Sequence, residues 1–372
     1  MKVLITGVTG MIGAEVASRL LNSGHSVIGL LHREPGVVRA DNSVVPSTPW
    51  CVDRAPLGCV ETVKGDVTAP ALGIAAETYR HLSETTDLVV HTAALTEFGR
   101  PNKLYTDINI NGTANVVDFV RSPISREIPL LHVSTAYVCG ERTGVIKETE
   151  LDHGQTFGNS YEKSKCEAEI LVSEKCKNAV IIRPSIVVGR ERTGVTRDFK
   201  HIFPVLKVMT KGRLMTIPGE YGALLDLVPV DYVADIVAAV ATNHAQVAGS
   251  VFHAIGGSAI SFRGLSDVLA EYPPFYMPRF VPKANFDRSS LERTEARYYD
   301  NVISLYTTYF NRRVVFDDSN VRRQLPSQRI APRGEILLRL LLDYSLAVGY
   351  LGPDSPDIAP RQSATSHPEV VG

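Results

Sequence analysis

The chain is expected to fold as an α/β protein, a doubly wound parallel sheet followed by a smaller, mostly helical lobe. Three features predict this. Short β-branched runs alternate with helical patterns six times through the first half, which is the rhythm of parallel strands and crossover helices. A glycine-rich turn follows the first run immediately. After residue 190 the rhythm breaks and longer, less regular segments take over.

Taken in order, strands are expected at Val3–Thr6, Ser26–Leu31, Val60–Lys64, Leu88–His91, Leu130–Val133 and Val180–Arg183. Helices are expected near Ile12–Asn22, Ile74–Glu84, Leu104–Val120 and Ser160–Lys175. The Pro, Ser and Asp residues of Pro35–Pro56 read as a loop inserted between the second and third strands. From Glu191 a loop leads to a helix around His201–Lys211. A strand near Leu225–Val228, a helix over Asp231–Ala241 and a strand at Val251–Ala254 follow. Residues 1–190 therefore read as a nucleotide-binding unit and 191–350 as a substrate lobe, with the core returning near 225–255. Residues 272–350 read as mostly helical, and 351–372 as a disordered tail.

Apolar residues make up 44% and charged residues 21% of the 372, an ordinary globular balance. A formal net charge of −1 gives no field favouring nucleic acid or an anionic membrane. Five scattered cysteines, with no C-x-x-C pair or histidine cluster, read as reduced thiols in a cytoplasmic protein without a metal. Val3-Leu4-Ile5 leads straight into the glycine turn, so the N-terminus reads as a core strand and not as a signal peptide. Glu335–Leu351 is apolar enough to test as a membrane span. Glu335, Arg339 and Asp343 make it an amphipathic helix instead.

Gly7, Gly10 and Gly13 fall between a strand and a helix, in the run Thr6-Gly7-Val8-Thr9-Gly10-Met11-Ile12-Gly13. Glycines there let backbone approach a pyrophosphate, and the helix N-terminus favours the anion, so Thr9, Met11 and Ile12 are placed with the glycines against a dinucleotide. The second strand ends in His32-Arg33 with no acid before Glu34, which favours a 2′-phosphate and hence NADP (as NADPH). Asp66, followed by Val67, lies after the third strand and could accept from an adenine amino group or simply make a turn. Ala93 and Ala94, after the fourth, are small enough for the cofactor to lie against backbone.

Tyr161 and Lys165 stand four apart in Asn159-Ser160-Tyr161-Glu162-Lys163-Ser164-Lys165, on one helical face. An ammonium beside the phenol would favour its phenolate and tune it for proton transfer to a carbonyl receiving hydride. Ser134-Thr135 ends the fifth strand at the carboxyl edge of the sheet. Thr135 is preferred as the carbonyl-holding hydroxyl, because only one of two alternating side chains can face the cleft. Asn109, on the preceding helix, either supports local backbone or a water relay, or is structural.

These motifs together resemble the extended short-chain dehydrogenases/reductases. The TGxxGxxG loop, Asp66, the Asn109-Ile110-Asn111-Gly112-Thr113 run, Thr135 and the Tyr161/Lys165 pair all match. So does Arg183-Pro184-Ser185-Ile186-Val187-Val188-Gly189, a segment that in the family lies against the nicotinamide, which implies that Pro184 and Ile186 touch it. His132–Val138, Asn159–Lys165 and Val228–Val233 resemble the thioester reductase and fatty acyl-CoA reductase branch. Cys139-Gly140 stands where nucleotide-sugar epimerases usually carry Tyr-Gly. The resemblance implies hydride transfer from NADPH to an acyl thioester, bound to coenzyme A or a carrier protein, giving aldehyde or alcohol. The alternatives are a ketone, alcohol or nucleotide sugar as substrate, and a non-catalytic NADP sensor. The expected partners are the acyl substrate and a second copy of the chain in a homodimer. Arginines of the C-terminal part, Arg312 and Arg313 among them, read either as phosphate ligands for the acyl carrier or as a solvated helix face.

Overall fold

The computed structural model describes residues 1–32, 36–52, 58–122, 126–352 and 355–356. Its centre is an eight-stranded sheet in which every neighbouring pair is parallel. The strands are β1 (Lys2–Thr6), β2 (Ser26–Leu31), β3 (Ser47–Pro49), β4 (Val60–Lys64), β5 (Leu88–His91), β6 (Leu130–Val133), β7 (Val180–Pro184) and β8 (Val251–Ala254). Their order is β8-β7-β6-β5-β1-β2-β4-β3.

The β-branched runs form central strands because both faces are covered. Val3 and Ile5 pack with helices α1 (Met11–Asn22) and α6 (Val230–Thr242) on one side. Leu4 packs on the other side with α2 (Ala76–Thr85), α3 (Gly112–Val120) and α4 (Ser160–Lys175). All three β1 residues are fully buried, as a doubly wound sheet requires. The chain leaves β1 toward β2 and later returns on β1's other side as β5, so a crevice opens at their carboxyl ends.

Three expectations need correction. Pro35–Pro56 is not only a loop: Ser47–Pro49 adds an edge strand in register with Val60–Thr62. Proline and a short run suit an edge, where one side of the backbone needs no partner. The expected helix Leu104–Val120 is interrupted by a π turn at Thr106–Asn111. Residues 272–350 are not mostly helical either. One long helix, α7 (Gly334–Ala347), and the short helices Arg293–Asn301 and Ser319–Gln324 are joined by 3₁₀ turns and strands. Pro273, Pro274, Pro278, Pro282, Pro326 and Pro332 break any longer helix there. Of the expected tail, 353–354 and 357–372 lie outside the described residues.

The lobe is woven from distant pieces around its own apolar core. Val314–Phe316 pairs in parallel with Gly144–Ile146, and Leu227–Pro229 with Ile186–Val188. Helix α5 (Ile202–Thr210) and α7 supply much of that core. Among the described residues no helix is long and apolar enough to cross a membrane.

Candidate active site

Two cavities, of about 1420 and 1100 Å³, lie along the crevice and share Gly10, Thr92 and Ala94 in their walls. Thr9, His32, Asp66, Val67 and Ala93 line the first; Met11, Ile12, Thr135, Tyr161, Lys165, Pro184 and Ile186 line the second. Arg33 lies outside the described residues.

The glycine turn is tight for steric reasons. Gly7 holds φ +71, and a methyl group there would meet the Ala93 nitrogen at 2.6 Å. A methyl on Gly13 would stand 2.2 Å from the Gly7 carbonyl oxygen. Helix α1 begins at Gly10 without a side-chain cap, leaving free N–H groups on the cleft. This cradle fits a dinucleotide pyrophosphate. At the far end His32 Nδ1 lies 3.2 Å from Asp66 Oδ2, and Asp66 also accepts from the Thr68 amide at 2.8 Å.

Asn159 caps α4 by accepting from the Glu162 amide at 2.9 Å, which sets Tyr161 in the first turn facing the cleft. Burial pushes the Tyr161 phenol well above its usual value, and a hydrogen bond with Thr135 offsets only part of that. Thr135 itself caps a 3₁₀ turn, accepting from the Tyr137 amide at 3.3 Å and donating to the Pro184 carbonyl at 3.3 Å. Ser134 also lines the cleft, with its hydroxyl buried and unpartnered among the described residues.

Lys165 does not do what its spacing suggested. Its ammonium donates to the Val133 carbonyl at 2.9 Å and lies 3.5 Å from His132 Nε2. It is absent from the influences on the phenol, so desolvation decides the Tyr161 shift. The outcome is a phenol that stays protonated, the form a proton donor needs. Lys165 is itself pushed down to about 8 by burial. Below that pH it carries its charge and above it is neutral. If the ammonium is required, kcat/KM is expected to be level on the acid side and to fall roughly tenfold per pH unit above about 8. A profile still level at about pH 10 would remove Lys165's charge from the reaction.

Asn109 lies in the π turn and stays out of both cavities. Its amide accepts from Leu95 N at 2.7 Å and donates to Leu95 O at 3.1 Å and Ser164 Oγ at 2.9 Å. Ser164 in turn donates to the Tyr161 carbonyl at 2.8 Å. Asn109 thus ties the loop after β5 to the helix carrying Tyr161. Arg312 and Arg313 meet no open phosphate site. Arg312 is buried against Glu162 at 3.0 Å, and Arg313 pairs with Glu220 at 2.6 Å on the surface.

Sequence reasoning overlooked a buried histidine pair. His91 bonds Thr6 at 2.7 Å and Thr113 at 3.0 Å, and its ring lies 5.2 Å from His132. Burial and the neighbouring Lys165 charge keep both rings neutral, His91 near 3. His91 closes an otherwise apolar strand and His132 interrupts one, and those polar residues were the available signal. The loop Arg190–Lys200 was read only as a connection, yet it crosses the glycine turn. Arg197 donates to the Thr9 carbonyl at 2.6 Å, and Thr196 touches the Met11 sulfur at 3.6 Å.

Beyond Tyr161 the cleft meets a third cavity of about 480 Å³, with Phe98, Ile186, His201 and Tyr309 common to both walls. Its interior is formed by apolar side chains of α5 and by Phe262, Leu265 and Phe310. A hydride acceptor held at Tyr161 would have a greasy chamber behind it.

Comparison with known proteins agrees with this geometry. The family model described as male sterility protein matches residues 5–237. The chain is 25% identical over 346 residues to probable fatty acyl-CoA reductase 4 of Arabidopsis thaliana, covering 73% of this chain and 70% of that protein. It is 24% identical over 266 residues to L-2-aminoadipate reductase of Saccharomyces cerevisiae, covering 65% of this chain but 19% of that protein. Among solved structures, the terminal R domain of the myxalamid biosynthetic pathway superposes with a TM-score of 0.77 at 22% identity, over 96% of this chain and 92% of that one. MoeE5 with UDP-glucose and NAD superposes at 0.65 and 18% identity, over 94% and 99%, which shows the shared fold alone.

Proposed function

This chain belongs to the male sterility protein family, an oxidoreductase of the extended short-chain dehydrogenase/reductase type, and from that premise we propose that it reduces acyl thioesters with NADPH in the cytoplasm. The observation that carries the reading is the continuity between the Tyr161 cleft and an apolar chamber, which suits an acyl chain. Nucleotide sugars would leave that apolar chamber unfilled.

A bound dihydronicotinamide supplies the hydride. Gly7, Gly10 and Gly13 would hold the pyrophosphate, and Pro184 and Ile186 would form the wall beside the nicotinamide ring. Tyr161 donates to the thioester oxygen as negative charge develops on it, and Thr135 joins it by turning its one hydroxyl proton from the Pro184 carbonyl, stabilising the transition state more than the ground state. Tyr161 then gives its proton to that oxygen wherever an alcohol is formed. Hydride addition to the thioester leaves a tetrahedral oxyanion. Its collapse re-forms the C=O bond and breaks the C–S bond, expelling a thiolate that takes up a proton from solvent as the free thiol and leaving an aldehyde. Phe98, packed 5.9 Å from the Tyr161 ring, helps exclude water. NADPH is preferred over NADH because no acid closes β2, whereas Arg33 offers positive charge and His32 a ring nitrogen to a 2′-phosphate.

The test is a panel of acyl-CoA thioesters, aldehydes and UDP-sugars, each with NADPH and with NADH. Loss of NADPH absorbance with one free thiol per thioester is expected, with kcat/KM at least about tenfold higher for NADPH. Turnover without thiol release would overturn the thioester reading. Equal use of NADH would overturn the cofactor assignment.

A further inference from the structure

The chamber behind Tyr161 has an apolar interior and a polar threshold. Ile202, Val205, Met209, Leu225, Phe262 and Leu265 form the depth. At the entrance stand His201 and Tyr309, common to both walls, with Tyr306 on the chamber side beside the same Phe98 ring. All three surround Phe98, with ring centroids 6.4, 5.2 and 5.9 Å from it.

Among the described residues no hydrogen bond is formed by these three side chains, and none of their polar atoms is sealed away from the cavity space. Burial keeps both phenols protonated and pushes His201 down to about 4, so the imidazole is neutral. Each therefore offers a hydrogen-bond donor, in a wall that a plain alkyl chain would leave unsatisfied. His201 is also held at φ +57, ψ −107, a left-handed conformation that a glycine would adopt without strain. Strained non-glycine backbone persists where the surroundings demand the side chain, and such positions gather at binding sites.

We propose that His201, Tyr306 and Tyr309 select acyl thioesters carrying a hydroxyl on C2 or C3. That hydroxyl sits at the threshold while the thioester oxygen meets Tyr161 and Thr135. The inference rests on the thioester reading and narrows it to hydroxyacyl substrates. A site built around substrate hydroxyls penalises an analogue lacking them more than a greasy pocket penalises one that has them.

The experiment compares 3-hydroxyacyl-CoA and 2-hydroxyacyl-CoA with unsubstituted acyl-CoA of equal chain length, by kcat/KM and by calorimetric binding to the cofactor-free protein. At least one hydroxylated thioester is expected to be preferred by about tenfold or more in both measurements. In His201→Gly, which relieves the backbone, and in Tyr306→Phe, which keeps the ring, the preference is expected to fall below about threefold while NADPH affinity stays the same. Equal kcat/KM and equal affinity in the unaltered protein would overturn the assignment. So would a preference that survives both substitutions. If no thioester is reduced, the reductase reading falls, and calorimetry alone still decides the threshold.

Discussion

Tyr161→Phe is expected to lower kcat/KM for a thioester or aldehyde by about 10²–10⁴-fold, the usual worth of a positioned proton donor. The substitution removes one oxygen from a side chain whose ring packs against Phe98. The fold loses only the hydrogen bond with Thr135, so the melting temperature should shift by no more than a few degrees. NADPH affinity, followed by fluorescence, should hardly change, since the pyrophosphate cradle lies elsewhere along the cleft. That combination separates a chemical role from a structural one. Turnover within about threefold of the unaltered protein would remove Tyr161 from the mechanism.

The largest stability effect is expected at the other side of the same helix turn. Glu162 and Arg312 are 0% and 2% exposed through their side chains and meet bidentately, 150 residues apart in sequence. The guanidinium also lies 5.1 Å over Tyr137 and 5.0 Å over Tyr309. Arg312→Met strands a buried carboxylate and should cost about 3–5 kcal/mol in denaturant unfolding. The double variant Glu162→Gln/Arg312→Met should recover a substantial part, because the penalty lies chiefly in the orphaned charge. A single variant within about 1 kcal/mol of the unaltered protein would show that water or another group reaches Glu162.

The sheet was legible from sequence because β-branched runs buried on both faces leave few other folds open. Six strands fell where the runs Val3–Thr6 to Val180–Arg183 placed them, within a residue at their ends. Ser47–Pro49 was not legible, since a three-residue edge strand with a proline carries a loop's composition. Of the site, the glycine turn and the Tyr161 helix are local patterns, and spacing alone located them. Lys165 was found, but its direction was not. Four residues of helical spacing fix a shared face, whereas the Val133 carbonyl and His132 beneath the helix draw the ammonium down. Arg312 and the threshold phenols were opaque for a different reason. Their partners lie 150 or more residues away, and no periodicity reports which distant segment will close over a cleft.

The pairing of Val314–Phe316 with Gly144–Ile146 has a consequence for the order in which the protein matures on the ribosome. The parallel sheet is complete once Ala254 has emerged, and a nascent chain of that length already holds every nucleotide-cradling turn. Tyr309 of the cleft wall and the strand Val314–Phe316 still await translation, the latter a loop closure spanning nearly half the polypeptide. Affinity for the coenzyme should therefore arise during synthesis well before turnover does, and the half-made molecule would expose the greasy interior of its future substrate chamber to chaperones.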